Sequence, residues 1–201
     1  MKAILISIHP QWVALILNFI KKDEIRKGTA IGKAINRLIK EQGVAPMLIY
    51  CTKGKWGLYD NRSHITSASD IFFIDRLGYD KPPLLNGKVV ARFNATAEEI
   101  ICRPICGEWE CYTKTQGYSE IAKASCLKNK DIVHYLKGKN GTSIHINDLE
   151  IFDKPKELSE FAIKNCKTCI ANDGTCHLKN ECAGLPLIKA PQSWCYVEVL
   201  L

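Results

Sequence analysis

The chain has 201 residues, 46% hydrophobic and 24% charged, and its 28 Lys and Arg against 21 Asp and Glu leave a formal net charge of +7. That profile excludes a disordered or low-complexity chain and mildly favours an acidic partner such as nucleic acid. No run approaches the roughly 18 continuous apolar residues of a spanning helix, so no membrane association is expected.

In chain order, Ala3–Ile8 has strand composition. Pro10 suits the first turn of a helix, where its missing N–H is not needed. Trp12, Val13, Ile16, Phe19 and Ile20 follow at helical spacing and predict one stripe packed on a sheet. His9-Pro10-Gln11 splits the apolar run and no small-x-small cleavage site follows, which reads as a cytoplasmic protein. Glu24–Lys27 predicts a short strand. Gly32–Gln42 predicts an amphipathic helix, with Ile31, Ile35, Leu38, Ile39 and Gln42 on one face, Lys33, Arg37 and Lys40 on the other, and Gly43 as its stop.

Met47–Cys51 reads as a buried strand and residues 53–70 as mostly loop. Asn86-Gly87 signals a turn before an alternating strand to Ala95, and Glu98–Cys102 extends the sheet. Ser119–Ala124 and Lys128–Lys137 read as helices. Residues 143–152 give one or two strands with a bend at Asn147-Asp148. Pro155–Phe161 predicts a short helix, and Trp194–Leu200 a final strand. Strands without regular helical crossovers point to an α+β fold, best matched by a small, closed or partly closed β-barrel flanked by helices.

Three stretches carry chemistry. In Lys21-Lys22-Asp23-Glu24-Ile25-Arg26, an extended backbone sends Glu24 and Arg26 to one face and Asp23 and Ile25 to the other. A carboxylate acceptor then stands beside a five-donor guanidinium, with Lys21 as a nearby cation. Lys21, Glu24 and Arg26 are expected to line one cleft, and Lys22 and Asp23 to face solvent. The same residues also fit an ordinary helix end with surface ion pairs.

Cys166-x2-Cys169-x6-Cys176-x5-Cys182 has the spacing of a four-thiolate structural zinc site. An iron–sulfur cluster or unligated thiols are the alternatives, and His177 can stand in for Cys176. Cys102, Cys106 and Cys111 are read as free thiols by default, or with Cys126 as a second metal site; Cys51 and Cys195 are read as core. Trp56 and Tyr59 with Lys53, Lys55 and Arg62 form an aromatic and basic loop, suited either to stacking on a base or to packing an aromatic on the barrel.

The segment from Ile8 and Pro10 through an apolar helix to Lys21, Glu24 and Arg26 resembles the N-terminal signature of the ASCH family of the PUA-like superfamily. Phe19 stands where that family commonly has Gly. The later stretches YCTKGK, NGKVVARF, SIHINDLEIFDKPKELSEF and PQSWCYVE look like phage- or prophage-type members. The resemblance implies a small PUA-like β-barrel with a helix-flanked cleft, expected over residues 1–161; the cysteine spacing adds a zinc loop expected over 162–189, and the strand over 190–201 is expected to return to the barrel. The resemblance implies RNA or modified-nucleotide binding by Lys21, Glu24, Arg26, Lys53 and Trp56. One branch hydrolyses the amide of acetylated cytidine with a Lys, a Thr and a Glu. Lys21 falls on that lysine and Glu24 on the threonine position, so a nucleoside or RNA hydrolase with Lys21 and Glu24 at its centre is the alternative. A protein-interaction module of a mobile element is the third reading.

Overall fold

We describe the chain from a computed structural model covering residues 1–54, 57–60, 72–75, 84–163 and 185–199. Strand β1 (Lys2–Ile8) leads into helix α1 (Pro10–Leu17), strand β2 (Asp23–Lys27), helix α2 (Ala30–Gln42) and strand β3 (Pro46–Cys51). A small ladder of β4 (Gly57–Asp60) and β5 (Phe72–Asp75) stands apart. The long strand β6 (Val89–Ile105) turns into β7 (Glu108–Tyr112), followed by helices α3 (Tyr118–Ser125) and α4 (Asn129–Leu136). Strand β8 (Gly141–Lys156), a single 3-10 turn and the short strands β9 (Phe161–Ile163), β10 (Leu185–Pro186) and β11 (Trp194–Val199) complete the described chain. The α+β class holds.

The main sheet runs β10-β9-β11-β1-β3-β6-β8-β2, with β7 branching from β6. Among the described residues, only β1 and β3 pair in parallel in this sheet. The expected barrel does not close: the pairing path among the described residues ends at β2 on one side and β10 on the other. The reason lies in β1. Its two edges are taken by β3 and by β11, so β2 has no ladder position left beside it.

Alternation along β1 divides the interior. Ile4, Ile6 and Ile8 enter the largest core cluster with Val13, Ile16 and Leu17 of α1 and Ile31, Ile35 and Leu38 of α2. Ala3 and Leu5 face a second cluster with Phe161, Leu187 and Val197. Both faces are covered, which is why the strand is a continuous apolar run. A third cluster joins Ile25 of β2 and Ile100 of β6 to Ile121 of α3 and Ile132 and Leu136 of α4.

Four local expectations change. Helix α1 ends at Leu17, and Phe19 (φ 59°) and Ile20 turn outward, 49% and 58% exposed, instead of extending the buried stripe. Residues 57–60 are a strand within the stretch expected to be loop. Pro155 lies within β8, so only Leu158–Glu160 is helical, as a 3-10 turn. Cys102 and Cys111 are not free thiols: they face each other across the β6–β7 hairpin and form a disulfide. Gly43 (φ 80°) caps α2 as expected, and Asp148 (φ 50°) bends β8.

Candidate functional site

Helix α1 delivers Lys21 through a tight turn. The N–H groups of Ile20 and Lys21 both donate to the Leu15 carbonyl, and Asn18 Nδ2 donates to Ala14 O at 2.8 Å. Phe19 takes the left-handed conformation that glycine adopts most easily, at the position where the ASCH resemblance places Gly. The turn sends Lys21 inward, with only 2% of its side chain exposed. From there β2 begins, and Glu24 and Arg26 point to the same side as Lys21.

The three side chains form one buried cluster. Lys21 Nζ lies 3.4 Å from Glu24 Oε2 and donates to the Ser125 carbonyl at 2.7 Å. It also sits over the Trp12 ring, 5.2 Å from its centroid. Arg26 Nη2 lies 3.1 Å from Glu24 Oε1 and donates to the Ser7 carbonyl at 2.7 Å. Among the described residues its buried Nε has no partner. Two cations thus share one carboxylate, leaving a net charge of +1 in a desolvated position. Burying such charges is costly, and the Ser7 and Ser125 carbonyls and the Trp12 face offset part of that cost.

The cluster forms part of the wall of a cavity of about 400 Å³ between β1, β2 and α4. Ile8, Trp12, Leu127 and Tyr135 supply apolar and aromatic lining, while His9, Thr52, Asp131 and Ser193 add polar groups. The size and the mixture of apolar walls with a few convergent polar groups are those of a small-molecule site. Burial raises the Tyr135 phenol above its usual value, with the Arg26 charge opposing.

Asp23 departs from its expected place. It is 3% exposed, accepting from Ser143 Oγ at 3.1 Å and pairing with His145 Nδ1 at 2.9 Å. Period-two alternation does put it opposite Glu24, but residues 118–136 cover that face. Lys22 is exposed, as expected. Lys53 is not part of the cavity; it is exposed and packs beside Gly87 near Tyr50 and Glu157. Trp56, Arg62, Cys166, Cys169, Cys176, His177 and Cys182 lie outside the described residues. Among the described residues no group of three or more His, Cys, Asp or Glu is placed to hold a metal ion. None of their helices is long and apolar enough to cross a membrane.

Sequence reasoning missed the carbonyl of Ser7 and the contributions of Leu127, Asp131 and Tyr135, which reach the cavity from more than 100 residues along the chain. Trp12 was legible only as a helix-packing residue. No protein-family model matches this chain, and none of the curated proteins compared with it matches either.

Proposed function

We propose that the chain is a PUA-like nucleic-acid- or modified-nucleotide-binding module, with RNA as the favoured polymer, and that the cavity between β1, β2 and α4 takes a nucleobase. The observation that carries this reading is the buried Lys21–Glu24–Arg26 cluster, with its net positive charge beside an aromatic wall. Side-by-side guanidinium and carboxylate groups match the donor and acceptor pattern of a base edge. Trp12 and Tyr135 offer ring faces for stacking. Native mass spectrometry of the protein isolated from cells tests the reading, with retained nucleotide as the expected result. Affinity for single-stranded RNA should also fall as salt rises, because neutralised phosphates release counterions. RNA affinity that ignores salt and is unchanged in Arg26→Ala contradicts it.

A hydrolase centred on Lys21 and Glu24 is the second reading, favoured by the burial of Lys21 within 3.4 Å of a carboxylate. Against it, Lys21 Nζ already donates to a main-chain carbonyl, which aims it away from an attacking role. Turnover of acetylated cytidine that disappears in Lys21→Ala distinguishes this reading from a binder.

Cys166, Cys169, Cys176 and Cys182 are the ligands we assign to a structural zinc, on their spacing alone. One zinc per chain by elemental analysis is the expected result. Metal-free protein with a melting temperature indifferent to chelators contradicts it.

A further inference from the structure

The ladder between β2 and β8 fixes which backbone groups of β2 remain available. Paired positions sum to 168, as in Arg26 with Thr142 and Ile25 with Ser143. Just beyond the ladder, Gly28 N–H donates to Asn140 O at 3.2 Å, and Lys22 O accepts from Ile146 N–H at 2.9 Å. Within the ladder, Glu24 and Arg26 therefore turn their N–H and C=O to β8, whereas the Lys22 N–H, just before it, donates to Ala124 O at 2.8 Å. In an antiparallel pair the alternate residues turn theirs the other way.

Ile25 lies between Glu24 and Arg26 and is such an alternate residue. The whole residue is 4% exposed; its side chain packs into the α3–α4 cluster, and what remains accessible lines the cavity. Across the cavity stand Ser7 and Ile8 of β1, which pairs with β3 over Ile4–Ile8 and with β11 over Lys2–Ile6. Among the described residues, the main-chain donor and acceptor of Ile25 thus stand side by side on a sheet edge with no ladder partner, at the wall of a cavity lined by Trp12 and Tyr135.

We infer that the main-chain N–H and C=O of Ile25 read the edge of the bound base, and that the base is of the lactam type: a ring N–H next to an exocyclic carbonyl, as in uracil and guanine. This rests on the nucleobase reading of the cavity. The N–H of Ile25 donates to the carbonyl, and the C=O of Ile25 accepts from the ring N–H. The charge of the site selects the lactam. Lys21 and Arg26 outnumber Glu24, so a carbonyl-bearing edge is favoured over one that brings an amino group. Side-chain substitution at position 25 leaves this recognition intact, which makes it invisible to alanine scanning.

Two measurements on the full chain test the inference. In the first, uridine and guanosine monophosphates are compared by calorimetry with their N3-methyl and N1-methyl forms, which lack the ring N–H. We expect the methylated forms to bind at least tenfold more weakly. In the second, the peptide N–H of Ile25 is replaced by an ester oxygen, using the α-hydroxy acid counterpart of isoleucine. Uridine or guanosine monophosphate affinity should fall about tenfold with only a small drop in melting temperature, because that N–H takes no part in the ladder and the ester merely weakens the Glu24 carbonyl as a ladder acceptor. Equal affinity for methylated and unmethylated bases overturns the inference even if the ester form fails to fold. Binding that is lost in Arg26→Ala but untouched by methylation and by the ester means that side chains read the base, and the nucleobase reading survives alone. No binding of any nucleoside monophosphate removes both.

Discussion

Arg26 reaches across the open side of the sheet to the carbonyl of Ser7, and the 2.7 Å contact joins two strands that share no ladder. Strand β11 leaves β1 at this point: Ser7 N–H donates to Ser193 O at 2.9 Å, beyond the last paired residues Ile6 and Trp194. A side chain therefore does at one position what a closing strand would do along a whole edge. The remaining gap is the cavity.

Arg26→Lys keeps the charge and loses the planar fork, so it cannot hold Glu24 and Ser7 together. Loss of a largely buried charge-assisted hydrogen bond predicts destabilisation of about 1.5–3 kcal/mol. Urea unfolding measures it. A midpoint unchanged from the parent chain shows that the cross-sheet contact carries no stability.

Glu24→Gln leaves Lys21 and Arg26 in a largely buried cluster without their shared carboxylate. Removing one partner from such a cluster predicts a loss of about 3–5 kcal/mol. Lys22→Ala, one residue from Lys21 but exposed, is the control and should stay within about 0.5 kcal/mol. Equal, small effects at both positions show that Glu24 is solvated in solution.

The Asp23–His145 pair predicts a pH dependence of stability. The hydrogen bond to Asp23 raises the His145 pKa above its ordinary value, burial opposes the rise, and the Asp23 and Glu98 charges add to it. The protonated form is thus preferred in the folded chain. Its stabilising contribution is complete below the unfolded pKa of about 6.5 and is lost as pH rises through the higher folded value. Unfolding midpoints should therefore fall from pH 6 towards pH 8.5, and His145→Gln should reduce that slope. A parent chain that gains stability over this interval contradicts the pairing.

Gly141 pairs with Lys27 in the β2–β8 ladder, beside the Arg26 carbonyl. A Cβ there would lie 2.8 Å from the Arg26 carbonyl oxygen and 2.7 Å from Leu136 Cδ2. Gly141→Ala must push β2 or α4 outward, at a cost of about 1–3 kcal/mol. Because β2 carries Glu24 and Arg26, ligand affinity should fall with it. Unfolding and binding measured on the same variant check both effects, and an alanine accepted without loss of either shows that β2 is free to shift.

The sequence made the short-range geometry legible and left the long-range closure hidden. Strand alternation alone put Glu24 and Arg26 on one side and Ile25 in a core, because a period of two needs no tertiary information. The same rule placed Asp23 opposite Glu24 but could not say that residues 118–136 would cover it. The open barrel was illegible for a similar reason. Whether β1 offers an edge to β2 depends on β11, which arrives nearly 190 residues later. The Cys102–Cys111 pair needed the hairpin register, which an irregular cysteine spacing does not reveal. Phe19 hid the turn that delivers Lys21, since a bulky residue at positive φ carries no glycine signal.

The central claim is that the cavity between β1, β2 and α4 holds a nucleobase, and amide-resolved NMR tests it most directly. Titrating the isotope-labelled chain with uridine or guanosine monophosphate should move the Ile25 and Lys27 amides and the Trp12 indole together, at one common affinity. The amides of α2, whose exposed Lys33, Arg37 and Lys40 face solvent elsewhere, should stay in place. Shifts confined to α2 or scattered over the basic surface, with Ile25 and Trp12 unmoved, would contradict the account.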